Sequence, residues 1–260
     1  MKKTCLTLAL AGCLALSPDS RAQFAGAVIS YDPGTGFAAG FTNASAAIGA
    51  PASGGSVTPF APPFSTSQIV SLGAGGEITL QLASPWTHDS AHAYGLDLNI
   101  FANEFFTSSG GKVSGLFFHT ASALVQVSQD GSTWFTLNPA LAPQPGELFP
   151  TDGNGNPTVP VNPSLTLSSF TGQNLAGIRS LYNGSAGGTG YSFAWAQDAN
   201  GNPVTLPNVD FVRIEVNSGV VDLDAISVVP EPKSWVLILG ASIFFIPLRL
   251  TAKKDNQNQP

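Results

Sequence analysis

The sequence predicts an all-β fold, an antiparallel β-sandwich spanning residues 23–228, and three observations predict it. Apolar residues recur with period two in several short segments, the mark of strands with one buried face. Turn residues such as Asp130-Gly131 and Asn217-Ser218-Gly219 separate those segments, and glycine supplies the positive φ that tight turns need. No segment carries a long apolar stripe of helical period, and 28 glycines and 20 prolines punctuate the chain.

The strands follow in order. Glu77-Ile-Thr-Leu-Gln-Leu82 alternates polar with apolar. From Gly95 to Phe101, Leu96, Leu98 and Ile100 fall on one side and Asp97 and Asn99 on the other, a pattern that predicts a wet outer face. Ala123 to Ser128 leads through the turn Gln129–Ser132 into Trp134–Leu137, a predicted hairpin. Val209 to Val216 sets Phe211, Arg213 and Glu215 against Val212, Ile214 and Val216, and Asn217–Gly219 is predicted to turn it back into Val220–Val228 as a second hairpin. Residues 24–70, with Tyr31-Asp-Pro-Gly and Gly49-Ala-Pro, are a loop-rich opening segment. Short antiparallel strands with short turns make a sandwich of jelly-roll type the simplest arrangement.

Charge narrows the function classes. Between Gln23 and Val229 stand three basic residues, Lys112, Arg179 and Arg213, against thirteen acidic ones. Nucleic-acid binding rests on phosphate neutralisation by Lys and Arg, so this body excludes it as a partner. Both cysteines, Cys5 and Cys13, lie near the N-terminus. A body without cysteine cannot use disulfides and must be held by its core.

The two ends read as addresses. Lys2 and Lys3 precede an apolar stretch from Cys5 to Leu16, and Ser20-Arg21-Ala22 offers small residues for signal peptidase, predicting a signal peptide over residues 1–22 cut between Ala22 and Gln23. A rival reading takes Leu10-Ala11-Gly12-Cys13 as a lipobox. At the other end, Val229-Pro230-Glu231-Pro232 precedes an uncharged run from Ser234 to Leu248, then Arg249, Lys253 and Lys254. As a helix, residues 234–248 span about 22 Å at ~1.5 Å per residue, against a hydrocarbon core of roughly 30 Å. Snorkelling of Lys233 and Arg249 or thinning of the bilayer closes that gap. Basic residues then hold the end on the cytoplasmic side. Residues 229–254 resemble the PEP-CTERM sorting signal of bacterial exported and surface proteins, and 255–260 form a polar tail. The resemblance implies an exosortase-type processing enzyme as partner and membrane anchoring before processing. The other reading of this segment is a C-terminal helix of the globular domain, which its missing polar face opposes.

A second resemblance covers residues 71–228. Ser71 to Leu80, Asp97-Leu-Asn-Ile-Phe-Ala-Asn-Glu104, Val125 to Trp134, Trp195 to Val204, Val209 to Ile214 and Asp222-Leu-Asp-Ala-Ile226 occur in an order similar to bacterial surface proteins with galactose-binding-like jelly rolls, the group of discoidin and carbohydrate-binding modules. It implies an optional structural calcium held by carboxylates near a sheet edge.

Asp97, Glu104, Asp222 and Asp224 are the candidate metal ligands, since calcium takes six to eight oxygens. Asp222 and Asp224 share a face of a strand, and the competing reading makes them solvated strand carboxylates. Asp-x-Asn-Gly-Asn-Pro occurs at Asp152–Pro157 and at Asp198–Pro203. Proline stands where a calcium loop has its glycine, so both are predicted turns with left-handed Asn or Gly. His88, His92 and His119 fit no zinc pattern on a helix, and no Gly-x-Ser-x-Gly occurs. Among the aromatics Trp86, Tyr94, Trp134, Tyr182, Tyr191 and Trp195, Tyr182 and Tyr191 bracket a glycine-rich loop and are the predicted ligand rim. Together these readings predict a non-enzymatic protein of the cell envelope, outer surface or extracellular matrix that associates with polysaccharide. The alternatives are an adhesive surface protein that contacts other proteins through its sheet, and a polysaccharide-active enzyme that needs only a pair of carboxylates.

Overall fold

The computed structural model describes residues 24–230. The expected leader with its Ala22–Gln23 cleavage point, Glu231, Pro232, the 234–248 helix, the basic stop and the polar tail lie outside the described residues.

Two antiparallel sheets form a β-sandwich. The larger has six strands, β1 (Ala25–Asp32), β3 (Glu77–Trp86), β7 (Ser122–Ser128), β8 (Phe135–Leu137), β10 (Ala196–Gln197) and β11 (Val209–Ser218), in the spatial order β1-β3-β11-β7-β8-β10. The smaller has four, β2 (Val70–Leu72), β4 (Leu98–Ala102), β9 (Thr189–Tyr191) and β12 (Val221–Val228), ordered β2-β12-β4-β9. One apolar core lies between them, with Ile78, Leu80, Val125, Val127, Val212 and Ile214 from one sheet and Leu72, Leu98, Ile100, Leu223 and Ile226 from the other. Burying each such side chain contributes about 1.5–3 kcal/mol, and this cluster does the holding that disulfides do elsewhere.

The central strand β11 follows its sequence pattern. Val209, Val212, Ile214 and Val216 are buried, while Asp210, Phe211, Arg213 and Glu215 are half-exposed. Arg213 lies over the Trp134 ring at 3.9 Å from its centroid, so Trp134 packs on the outer face under a cation and is not a core residue. The hairpin from β7 to β8 forms as expected, with Gln126 paired to Thr136. Gly131 takes φ 71° at its turn, and Asp130 accepts from the Ser132 and Thr133 amides.

The expected hairpin between β11 and β12 does not form. Asn217–Gly219 instead carries the chain from the large sheet to the small one, where β12 pairs with β2 and β4. The reason lies in burial. All eight residues of β12 are buried, whereas strands sharing the large sheet with β11 keep one wet face. Gly219 makes the corner with φ 80°, and a Cβ there would collide with the Thr120 carbonyl oxygen.

The outer face of the small sheet is covered by a second apolar cluster. The hairpin β5 (Phe105–Ser109) and β6 (Lys112–Phe117) packs with two short helices, α1 (Leu167–Phe170) and α2 (Leu175–Tyr182). Phe106, Val113, Phe149, Val161, Phe170, Ile178 and Tyr182 form this cluster. Asn99 Nδ2 and Ser227 Oγ both donate to the Pro157 carbonyl, tying the covering loop to the sheet. The face expected to meet water is therefore interior.

Candidate functional site

A small acidic pocket opens at the edge of this covered face. Asn103 and Glu104 reach it from the link between β4 and β5, Val221 and Asp222 from the start of β12, His119 from the segment after β6, and Pro145 with Gly146 from a loop. Its volume is about 10 Å³, room for about one water or one ion. Gly146 stands at φ 73°, where a Cβ would lie 3.0 Å from the Ala102 Cβ and 3.1 Å from Glu104 Oε2. Only glycine lets the loop close against that carboxyl.

Polar satisfaction in the pocket is incomplete. Asp222 Oδ2 accepts from Asn103 Nδ2 at 3.2 Å and lies 3.2 Å from His119 Nε2. Asp222 Oδ1 and both carboxyl oxygens of Glu104 are buried without any hydrogen-bond partner. Burial above all pushes Glu104 up to about 8; its own backbone N–H, which falls outside hydrogen-bond geometry, pulls the other way, and the nearby charge of Asp224 adds a smaller push upward. Burial likewise pushes Asp224 up to about 7, although the Ala52 amide donates to its carboxylate and pulls the other way. The reading of Asp222 and Asp224 as solvated carboxylates is thus overturned, since both are buried. Their position follows from parity. Val221 and Leu223 point into the main core, a bulge falls between Leu223 and Ala225, and Ile226 and Val228 resume the inward phase. Asp222 and Asp224 are left facing the covering loops.

Asp97 does not join this group. Its Oδ1 is 2.7 Å from His92 Nδ1 and its Oδ2 is 2.8 Å from His88 Nδ1 and 2.7 Å from the Phe193 amide, which donates to it. Ser192 Oγ donates as well. A carboxylate so fully engaged fixes the loop 88–97 against β9 and has no free oxygen for a metal. Among the described residues, no three His, Cys, Asp or Glu side chains form a ready-made metal site.

Beside the pocket stands a solvent-facing aromatic ridge. Phe117, Phe118 and His119 are consecutive and exposed. Phe117 stacks on Phe105 at 4.9 Å and 27°, and His119 meets the Phe117 ring edge-on at 5.6 Å and 77°. Phe118 lines the neighbouring groove of about 370 Å³, walled by Leu116, Leu148, Phe149, Leu165 and Leu167, with Glu147 and Thr189 as polar members. That volume is within the range of small-ligand clefts. One run of three residues thus joins the acidic pocket to the groove.

Tyr182 and Tyr191 are not a rim. Both are buried, and their hydroxyls donate to the Pro150 and Pro143 carbonyls. A tyrosine beside a glycine-rich loop packs inward when a backbone acceptor is there for its hydroxyl. Of the six aromatics singled out from the sequence, Tyr94 alone is exposed. The two Asp-x-Asn-Gly-Asn-Pro segments are turns, differently built. Asp198 accepts from the Asn200 and Asn202 amides and Gly201 is left-handed at φ 80°. Asp152 accepts from the Asn154 amide and in addition pairs with Arg179 through both Nε and Nη2. Gly155 has no positive φ there; a side chain would strike the Ser185 carbonyl. Val229 is buried, and its amide donates to the Asp97 carbonyl at 2.9 Å, so this first residue of the expected sorting motif is part of the fold.

Sequence reasoning missed the ridge because Leu116-Phe-Phe-His119 lacks alternation and reads as an apolar run. It missed the engagement of His88 and His92 although Asp97 follows within a few residues; a nearby carboxylate after two histidines is the signal that was there. No protein-family model matches the chain, and no curated protein matches it.

Proposed function

We propose that the chain is a non-enzymatic exported protein of the cell envelope whose β-sandwich associates with extracellular polysaccharide through the Phe117–His119 ridge. The observation that carries the reading is the Phe105–Phe117 stack, exposed at Phe117 with an imidazole at its edge. Such a ring covers the apolar face of a sugar, excluding water there, and the adjacent imidazole hydrogen-bonds hydroxyls in either protonation state. The groove beside it extends the contact along a chain of sugars. A galactose-binding-like jelly roll is the finer architecture proposed for the sandwich.

Export and sorting complete the reading. Lys2, Lys3 and the apolar stretch to Leu16 support signal-peptidase processing, and Pro230-Glu231-Pro232, the 234–248 run and Arg249, Lys253 and Lys254 support recognition by an exosortase-type enzyme. The last strand ends at Val228, directly before that motif. A protein-contact role through the sheet edge is less favoured, because edge strand β1 carries two register breaks, features that blunt edge pairing.

Two experiments test the two halves. The intact mass of the protein from its host's envelope and medium is expected to begin at Gln23 and to end near Pro230–Pro232; a mass that retains Pro260 contradicts sorting by cleavage. A broad glycan panel probed with the full chain is expected to give binding that falls in Phe117→Ala; absence of binding to every glycan contradicts the polysaccharide role.

A further inference from the structure

We propose that the groove beside the aromatic ridge is a subsite for the acetamido group of an N-acetylated amino sugar, so that the polymer held is neutral and N-acetylated. This rests on the polysaccharide reading and names its ligand class. The walls set the first requirement. Of the residues that line the groove, only Glu147, Thr166 and Thr189 bring polar side chains, and the exposed Phe118 and Leu167 carry the apolar wall out to solvent. A plain sugar presents hydroxyls around its rim, and moving one from water onto leucine or phenylalanine is unfavourable unless a hydrogen bond replaces the water. A methyl group is favoured there instead.

The polar groups set the second. The Thr189 hydroxyl donates to the Leu148 carbonyl at 3.2 Å, which leaves its oxygen as an acceptor. Glu147 Oε2 accepts from the Gln144 amide at 3.1 Å, and among the described residues nothing engages Oε1. Thr166 Oγ1 lies 2.7 Å from Ser168 Oγ and is occupied by it. Pro143 and Pro163 have no N–H to offer. The groove therefore presents acceptors and calls for a donor, and an acetamido group brings an N–H beside a methyl. Its carbonyl oxygen stays toward the mouth, in water.

Charge sets the third. No lysine or arginine lines the groove. Arg179 pairs with Asp152, and Arg213 lies on the other sheet over Trp134. Lys112 begins β6, five residues from Phe117, or about 16 Å at ~3.3 Å per residue. His119 already lies on Asp222. A uronate or sulfate would meet Glu147 with no cation to hold it, whereas recognition of such groups rests on Arg and Lys.

Three oligosaccharides test it by calorimetric titration of the full chain: chito-oligosaccharide, cello-oligosaccharide, which has a hydroxyl where the first has its acetamido group, and an oligouronate. Chito-oligosaccharide is expected to bind at least about ten-fold more tightly than cello-oligosaccharide, through one buried methyl and one hydrogen bond to a carboxylate. The oligouronate is expected not to bind. Saturation-transfer NMR is expected to put the largest transfer on the acetyl methyl. Glu147→Ala and Leu167→Ser are each expected to lower the preference for the acetamido sugar at least about three-fold. Both leave the binding of cello-oligosaccharide, which the ridge alone supports, unchanged, and general damage to the fold would not spare it. Cello-oligosaccharide or oligouronate bound as tightly as the N-acetylated oligomer, with Phe117→Ala still weakening that binding, overturns the acetamido subsite and leaves the ridge reading standing. An undiminished preference in both groove variants overturns it too. So does binding of none of the three, and the broad glycan panel then decides the ridge reading by itself.

Discussion

His119 Nε2 lies 3.2 Å from Asp222 Oδ2, and the same imidazole stands edge-on to the Phe117 ring at 5.6 Å. One exposed side chain therefore touches the acidic pocket on one side and the aromatic ridge on the other. His119→Ala removes one polar partner of the buried Asp222 carboxylate, which keeps Asn103, and is expected to cost about 0.5–1.5 kcal/mol of stability. It should weaken polysaccharide binding about three- to ten-fold, the loss of one hydrogen bond worth ~0.5–1.5 kcal/mol. Chemical denaturation and binding isotherms on the same samples check the two halves.

Asp97 holds the loop before β4 by five different donors, His88, His92, Ser192 Oγ and the Asp89 and Phe193 amides. Asp97→Ala strands the Phe193 amide and removes the shared partner of His88 and His92. Breaking a buried polar network of this kind costs about 3–5 kcal/mol, so urea denaturation is expected to show a loss of that size. A loss under about 1 kcal/mol would mean the network is dispensable.

Tyr182 and Tyr191 predict the alkaline limit of the fold. Burial foremost, then the charges of Glu104 and Asp152 for Tyr182 and of Glu147 and Glu104 for Tyr191, raise both phenols well above the ordinary tyrosine value. The folded state keeps these protons where the unfolded state releases them, so it binds more protons above pH ~10. Stability is fully present below that pH and falls as pH rises through it. Ultraviolet titration is expected to show two of the four tyrosines ionising only together with unfolding; free titration of all four in the folded protein would contradict their burial.

Gly219 is expected to resist substitution. Gly219→Ala forces a side chain into left-handed backbone and against the Thr120 carbonyl, costing about 1–3 kcal/mol from conformation alone with the collision added. Gly201→Ala, in an open turn at φ 80° with no neighbour within 4 Å, should show only the conformational part. Thermal melts of the two variants separate these contributions.

Strands were legible where one face is wet. Phe211, Arg213 and Glu215 alternate against Val212, Ile214 and Val216, and β11 lies as its pattern requires. The same alternation at Asp97 and Asn99, and at Asp222 and Asp224, gave the wrong environment. Asn99 is covered at Pro157, Asp222 at His119 and the Gly146 loop and Asp224 at Ala52, all remote in sequence, while Asp97 is covered by His88, His92 and Phe193; period two cannot report such a second layer. Of the four acidic residues grouped from the sequence, the structure brings two to one pocket. Glu104 and Asp222 meet there, whereas Asp97 has its own histidine partners, whose ring nitrogens no spacing rule on helices anticipates. Tyr182 and Tyr191 failed as a rim because glycine-rich flanks indicate a loop without indicating which way its aromatics turn.

The central claim is that the ridge at Phe117 holds polysaccharide, and the most direct measurement is retention of the full chain on the extracellular polysaccharide of its own host, wild type beside Phe117→Ala. Phe117 is exposed and, among the described residues, its ring meets only the rings of Phe105 and His119, so its truncation should leave the melting curve nearly unchanged. The account predicts that the wild type is retained and that the variant binds at least about ten-fold more weakly, a difference of ~1.4 kcal/mol. Equal retention of the two proteins, or retention of neither, would contradict it.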